Sequence, residues 1–451
     1  MATLGSAVGR SGSLSIMEAV PLEMLAYILS LAVKGDSVTT ASCKLVSKDW
    51  RDLTRLSSTK LVIQGDDAVP KIIRPNVSLK RALDKNPQIV ELALHIDSRG
   101  EYWDDGEEEW GVNWDRIRIL CALPVRAWTE VTLHLSDDAE TCSFSRLLAA
   151  SKDTLRKLHM DIELFLLMDL EVVLRELRQL THLTVRGLGS LEPRSLLAIL
   201  DTAGRSPLLN VRELDVDEFA WYDPPDGVMH PTRGQSFAKL QQVFPNLENL
   251  TVRGSGKGIT RDDYVALLGG LPRLRNLVIE GESLAVVDNT VLQTLAQKCP
   301  LLEALVLARK GVRNVHLLGE EDDGMGTRLT AAGIASLLGS CSSLRNLKLS
   351  NLPVIGDEDW APLLLKMRSL EYFEGPFPCR SAIKSFAILS NLRELAFVQD
   401  QEVQQQDLIS ISKVARLLPK CTKLRVVAPG LNPATAEAVR IQLPGVGIPN
   451  A

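Results

Sequence analysis

The residues in this sequence that are best suited to chemistry are found among its six histidines. His95, His134 and His159, together with Asp161, lie in or directly after short apolar segments. Imidazole and carboxylate groups can bind a metal ion or transfer protons, so these four residues are a candidate metal or acid–base site. The sequence contains no HExxH motif, nucleophile elbow, P-loop or dinucleotide-binding fingerprint. Whether the four side chains meet therefore depends on the elements that carry them.

Those apolar segments belong to a hexamer that recurs along the chain, with apolar residues at its first, fourth and sixth positions. Clear copies are IVELAL (89–94), WTEVTL (128–133), LRKLHM (155–160), LTHLTV (180–185), VRELDV (211–216), LENLTV (247–252), LRNLVI (274–279), LEALVL (302–307), LRNLKL (344–349) and LRELAF (392–397). Degenerate copies are LEYFEG (370–375) and LRVVAP (424–429). The pattern and its spacing of roughly 20 to 30 residues resemble the leucine-rich repeat.

In such a repeat, each hexamer contributes one short strand, and the chain then returns through a helix. Helices are predicted in TRDDYVALLGGLP (260–272) and TAAGIASLLGSCS (330–342). Since one unit cannot bury its apolar side alone, neighbouring units must stack. We therefore predict an α/β fold, in which a horseshoe-shaped solenoid of about twelve units and one parallel sheet occupies residues 61–451. The longer spacings predict insertions near 98–114, 219–235 and 309–326.

The seven cysteines include no CxxC pair, and their odd number argues against a disulfide framework. Reduced thiols are typical of the cytoplasm or nucleus, which is where we expect this protein. Cys299, Cys341 and Cys421 each precede the first leucine-type position of a repeat by three residues. This shared placement predicts small buried residues at the turn from helix to strand, rather than a metal cluster.

One variable position of each repeat, directly after the hexamer, should face the concave side of the solenoid. This column reads His95, His134, Asp161, Arg186, Asp217, Arg253 and Glu280 before it becomes small and apolar at Ala308. His159 lies in the neighbouring column. Adjacent strands are about 4.8 Å apart, so metal binding across repeats is geometrically possible. Because nothing else completes such a site, the pattern favours a polar, ligand-binding face; ordinary solvated surface is the third alternative.

The three insertions also contain residues suited to recognition. Each follows a strand, so all three should emerge on the same side of the solenoid. Each carries at least two carboxylates, and the first two add aromatic residues that include Trp103, Trp110 and Trp221. Aromatic rings beside carboxylates suit a basic protein segment. The alternatives are solvated loops or calcium binding, although the spacing of an EF-hand is not present.

The first sixty residues lack the repeat. Residues 1–16 are small and polar without the apolar core of a signal peptide, and they predict a flexible tail. The stretch VPLEMLAYILSLA (20–32) predicts a helix that starts at Pro21, is apolar on two faces and is too short to cross a bilayer. A helix that merely capped the solenoid should be polar on its outer face. The second apolar face therefore favours a docking surface over a simple cap.

Residues 17–60 resemble an F-box, with a proline at the start of a Leu- and Ile-rich helix and a closing pair formed by Val46 and Trp50. An F-box before leucine-rich repeats is the arrangement of the substrate-recognition subunits of SCF-type ubiquitin ligases. The resemblance implies that the module binds a Skp-type adaptor and, through it, a cullin scaffold. The implied adaptor-binding residues are Val20, Pro21, Leu22, Leu25, Ile28, Leu29, Val46 and Trp50. The repeats would bind a protein substrate for ubiquitination and would perform no catalysis.

The overall charge excludes two classes of partner. With a net charge of −5 and an isoelectric point of about 5.8, the chain has no basic field that would hold nucleic acid or an anionic membrane. We predict no cofactor and no metal. The alternative function is a leucine-rich-repeat scaffold or a GTPase-regulator-like protein without a link to a ligase.

Overall fold

The computed structural model describes strands, helices and turns over most of the repeats. The described residues are 60–65, 84, 86–96, 126–135, 147–162, 176–186, 207–216, 240, 242–254, 260–281, 284, 286–308, 329–350, 359–376, 386, 388–398 and 423–427. Residues 17–59 of the F-box-like module and the three insertions lie outside these residues, and so do the residues predicted to bind the adaptor. Lys60, the last residue assigned to the module, begins the first strand of the sheet instead.

The repeats form one sheet of 13 parallel strands that follow each other in chain order. The strands are β1 (Lys60–Gly65), β2 (Glu91–Ile96), β3 (Glu130–Leu135), β4 (Lys157–Ile162), β5 (His182–Arg186), β6 (Glu213–Val216), β7 (Asn249–Gly254), β8 (Asn276–Gly281), β9 (Ala304–Ala308), β10 (Asn346–Ser350), β11 (Tyr372–Pro376), β12 (Glu394–Val398) and β13 (Lys423–Val427). Each predicted hexamer overlaps a strand, as a stack of short repeats requires.

The alternation of side chains in each strand separates the sheet into two faces. In β6, Leu214 and Val216 are buried, whereas Glu213 and Asp215 are only partly covered. Because successive side chains of a strand point to opposite sides, the apolar pair enters the core and the acidic pair faces away from it. We call this second side the open face; it corresponds to the concave side predicted from the sequence.

Four α-helices are described on the core side: α1 (Arg261–Gly269), α2 (Asn289–Lys298), α3 (Ala331–Ser340) and α4 (Trp360–Lys366). The first and third confirm the helices predicted from the sequence. Thr260 and Asp263 form a reciprocal capping box at the start of α1. The carboxylate of Asp288 accepts bonds from two amides of the first turn of α2. Consecutive helices pack against each other.

A β-turn joins each of α1, α2 and α3 to the next strand, whereas a 3-10 helix (Met367–Ser369) follows α4. Two cysteines start such β-turns. The amide of Leu302 donates to the carbonyl of Cys299 at 3.1 Å, and that of Leu344 donates to Cys341 at 3.1 Å. Both cysteines are 0% exposed, which confirms their predicted place in the core. Burial raises the pKa of the Cys299 thiol to about 12 and that of Cys341 to about 11.

The last strand corrects the predicted register. Lys423 pairs with Glu394 and Leu424 with Leu395, so the final hexamer is CTKLRV (421–426) and not LRVVAP. Cys421 therefore takes the first apolar position of its repeat and does not precede it by three residues, as predicted. The sequence pattern predicts the wrong register because Leu424 and Val427 mimic the first and fourth positions, whereas a cysteine occupies the true first position.

The first strand is an additional repeat that the pattern missed. Lys60 pairs with Glu91 and Leu61 with Leu92, so the hexamer is STKLVI (58–63). Its first position is a serine, which hides it from a search for apolar residues. The sheet has 13 strands, one more than the predicted number of units.

The described helices include none that is long and apolar enough to cross a membrane.

Candidate functional site: the open face of the sheet

The register of the strands aligns the column that was predicted to bind a partner. His95 pairs with His134, and His134 pairs with Asp161. The column continues from Asp161 to Arg186 and, further along, from Arg253 through Glu280 to Ala308. Asp217, Trp103, Trp110 and Trp221 lie outside the described residues. The predicted alignment of the described members is therefore confirmed, whereas their role in binding stays a prediction.

Four charged side chains of β5 to β8 meet on the open face. Arg186 Nη2 lies 2.7 Å from Asp215 Oδ2, and Arg253 Nη1 lies 3.2 Å from the same oxygen. Arg253 Nε is also 3.3 Å from Glu280 Oε2. One carboxylate thus holds two guanidinium groups, and a second carboxylate holds one of them from the other side. We call Arg186, Asp215, Arg253 and Glu280 the charge cluster.

The acids and bases of the charge cluster differ in exposure. The side chains of Asp215 and Glu280 are 14% and 16% exposed. Those of Arg186 and Arg253 are 37% and 33% exposed. The carboxylates therefore lie deeper than the arginine side chains, although the Nε atoms of both arginines are also buried.

Asp215 is the member of the cluster that sequence reasoning missed. It lies between the two inward residues of VRELDV, whereas the predicted column contains only the residues that follow each hexamer. The register places Asp215 beside Thr184 and Thr251, so an acid in this middle column lies diagonally between Arg186 and Arg253. An acidic residue flanked by arginines of the adjacent column was the signal that could have identified it.

The histidines of the open face form separate pairs. His159 Nδ1 lies 2.9 Å from Thr184 Oγ1, and His182 Nε2 lies 3.3 Å from Glu213 Oε2. Burial lowers the pKa of His159, and the Glu130 carboxylate opposes this shift. For His95 and Asp161, only the backbone is described. Among the described side chains, no three potential ligands come together as a metal site would require.

The open face becomes apolar after the charge cluster and then polar again. Val278 and Val306 are adjacent in the middle column, and Ala308 is buried where its column began with histidines. Further on, Lys348 Nζ lies 2.9 Å from Glu374 Oε1, and the hydroxyl of Tyr372 donates to the same carboxylate. The change from charged to small residues at Ala308 agrees with the gradient read from the sequence.

The strands before the three insertions end at the same edge of the sheet. Segments 98–114, 219–235 and 309–326 follow β2, β6 and β9, and all strands of the sheet are parallel. The insertions therefore leave the sheet from the edge formed by the carboxyl ends of its strands. Their acidic and aromatic residues stay a predicted recognition site, outside the described residues.

Comparison with known proteins bears on the fold. No protein-family model and no curated protein matches the chain. A structure of yeast Rad7 in complex with Elc1 matches at a TM-score of 0.50 and 16% identity, covering 95% of this chain and 98% of that chain. LegL7, a leucine-rich repeat-containing protein of Legionella pneumophila, matches at a TM-score of 0.41 and 14% identity, covering 73% of this chain and 94% of that chain. An internalin (InlF) of Listeria monocytogenes matches at a TM-score of 0.37 and 13% identity, covering 96% of this chain and 98% of that chain.

This chain has the fold of an α/β leucine-rich-repeat solenoid. The conclusion rests on the parallel sheet with strands in chain order, on the recurring hexamer and on the likeness to Rad7. At 16% identity, the likeness to Rad7 identifies the fold and not the activity.

Proposed function

We propose that this chain is the substrate-recognition subunit of an SCF-type ubiquitin ligase in the cytoplasm or nucleus. In this proposal, residues 17–60 bind a Skp-type adaptor, the adaptor links the chain to a cullin scaffold, and the repeats bind a protein substrate. The observation that carries the proposal is the open face of the contiguous parallel sheet, on which described charged side chains pair across adjacent strands. It follows directly on a module with the residues of an F-box.

The open face has the properties of a protein-binding surface. Its charged groups are held in place by partners on adjacent strands, as in the Lys157–Glu130 pair, whose atoms are 3.2 Å apart. A partner that binds side chains already held in place loses less conformational entropy than one that must order them. The Rad7 chain, which shares the fold, was solved in a complex with another protein, Elc1. This supports the proposal of a protein partner without identifying it.

The adaptor half of the proposal is tested by a double change in the first helix of the F-box-like module. We expect the tagged full-length chain to co-purify a Skp-type adaptor and the Leu25→Asp, Ile28→Asp variant to lose it. The matched control is Leu365→Asp, which places a new charge on an apolar side chain of α4 that is 48% exposed. Circular dichroism should show that the solenoid is folded in all three chains. Failure of the unchanged chain to recover an adaptor would refute this half.

The substrate half is tested by comparing the partners of the unchanged chain with those of the Leu25→Asp, Ile28→Asp variant while the proteasome is blocked. Proteins captured by the unchanged chain alone belong to the ligase machinery. Proteins captured by both chains are substrate candidates, and blocking the proteasome should increase their amount. If the shared partners neither accumulate nor carry ubiquitin, the substrate half is wrong.

A protein-binding scaffold without a ligase link is the second candidate, with a GTPase-regulator-like protein as its variant. This candidate is favoured because the described residues are those of the repeats, and their open face could bind a protein without any adaptor. Shared partners together with an absent adaptor would select this candidate.

A further inference from the structure

We infer that the charge cluster binds an anionic side chain of the protein substrate, a carboxylate or a phosphate, through Arg186 and Arg253. The inference rests on the proposed function because it takes the bound molecule to be a protein segment on the open face. It differs from the recognition of a basic segment that the inserted loops suggest.

The first support is the placement of the two guanidinium groups. Both approach Asp215 Oδ2, at 2.7 Å from Arg186 and 3.2 Å from Arg253. Like charges this close would separate in water unless an acid held them together. The cluster therefore fixes two cations side by side before any partner arrives, which removes part of the entropic cost of binding.

The second support is the direction in which the charges are exposed. The carboxylates are 14% and 16% exposed, about half as much as the arginines at 37% and 33%. Both carboxylates already contact a guanidinium, so a basic side chain would have to displace it. An anion instead approaches the more exposed arginine side chains, whose planar N–H geometry suits both carboxylate and phosphate.

The third support is the apolar surface beside the cluster. Val278 pairs with Val306 in the middle column, and both side chains are partly exposed. Val278 precedes Glu280 by two residues on β8 and lies diagonal to Arg253 on β7. An apolar surface next to charged contacts excludes water and strengthens them. Val306 is two strands from Arg253 and two residues back along its strand, about 12 Å at the usual spacings, which equals three to four residues of extended chain. The preferred segment thus carries an apolar residue about three or four positions from its anionic residue.

The test uses the immobilised full-length chain and four pools of random nonapeptides that differ only in the central residue. The central residue is aspartate, phosphoserine, serine or lysine, and bound peptide is measured by mass spectrometry. We expect the aspartate or phosphoserine pool to be retained about tenfold more than the serine pool, which corresponds to about one charge-assisted hydrogen bond. Retention of both anionic pools indicates that a carboxylate suffices, and retention of the phosphoserine pool alone indicates that phosphorylation is needed.

Two variants assign the preference to the cluster. Arg253→Gln should reduce anion retention to the level of the serine pool. Arg261→Gln should leave it unchanged, because Arg261 is a 49% exposed arginine of α1, on the core side of the sheet and outside the cluster. Thermal unfolding of each variant separates a loss of binding from a loss of fold. Equal retention of all four pools, preference for lysine, or an anion preference that survives in Arg253→Gln would each overturn the inference.

The result is independent of the adaptor experiment. If the adaptor binds but the pools do not differ, the ligase proposal stands and the anionic substrate class is wrong. If the pools differ as expected but no adaptor binds, the cluster is an anion-binding site of a scaffold protein.

Discussion

Gly333 in the first turn of α3 offers a sharp test of how the repeats stack. A Cβ atom at this position would lie 2.1 Å from Oδ1 of Asn289 in α2 and 2.7 Å from its Cγ. Gly339 lies in the same helix, and a Cβ atom there would meet nothing within 4 Å. Gly333→Ala and Gly339→Ala are therefore a matched pair that differs in the presence of a neighbour.

The magnitude follows from what the side chain of Asn289 does now. Its Oδ1 accepts from the amide of Thr330 at 3.0 Å, and its Nδ2 donates to Thr330 Oγ1 at 3.0 Å. Gly333→Ala forces this side chain away and breaks both bonds, at a cost of about 2 kcal/mol. Alanine regains about 1 kcal/mol of helix propensity. We expect the free energy of unfolding to fall by about 1 kcal/mol for Gly333→Ala and to rise by about 0.5–1 kcal/mol for Gly339→Ala.

Urea unfolding monitored by circular dichroism measures both changes, and hydrogen exchange of α2 and α3 shows whether they are local. In an Asn289→Ala background, the clash with Oδ1 and Cγ is gone, and the nearest remaining atom is Cβ at 3.3 Å. Gly333→Ala should then no longer destabilise the chain, so the two changes should couple by at least about 1 kcal/mol. If Gly333→Ala stabilises the chain as much as Gly339→Ala does, the proposed contact between repeats is refuted.

Two further predictions concern pKa values that burial shifts. Because burial raises the pKa of Cys299 to about 12 and that of Cys341 to about 11, peptide mapping should find neither thiol alkylated by iodoacetamide at pH 8 until urea is added. Alkylation of either thiol in the folded chain would contradict its burial. A raised pKa also means that the unfolded thiols lose their protons at a lower pH than the folded ones, so the free energy of unfolding should decline as the pH rises above about 9. For His159, whose pKa is lowered from 6.5, the unfolded chain binds the proton first. The contribution of His159 to the free energy of unfolding is then fully present above pH 6.5 and is lost at lower pH, so the decline should be less steep in His159→Gln. An NMR titration midpoint of His159 at or above 6.5 would disprove the shift.

The strands could be predicted from the sequence because burial imposes a period of two on short segments. In VRELDV, the inward positions must be apolar to fill the core, and Leu214 and Val216 are buried as expected. The first and last strands show where this reasoning fails. A serine at the first position hid β1, and two valines after Leu424 shifted the predicted register of β13. Pairing with the adjacent strand decides the register in both cases, and that information lies outside the hexamer.

The charge cluster could be predicted only in part. The repeat pattern aligned Arg253 and Glu280 in one column, because parallel strands of equal register bring equivalent positions together. It did not show that Arg186 and Arg253 both reach diagonally to Asp215, since the rotamers of long side chains depend on neighbours in three strands. The F-box-like module was inferred by resemblance, and its residues lie outside the part of the chain that the structure describes.

A row of alternating charges gives the order of the repeats a physical basis. The second hexamer position reads Arg212, Glu248, Arg275 and Glu303 in successive repeats, and the row continues with Arg345, Glu371 and Arg393. Arg212 lies 3.4 Å from Glu248, and Arg275 contacts both Glu248 and Glu303. Exposed pairs of this kind contribute little to stability. Their value lies in specificity, because a unit stacked one repeat out of place would put like charges beside each other.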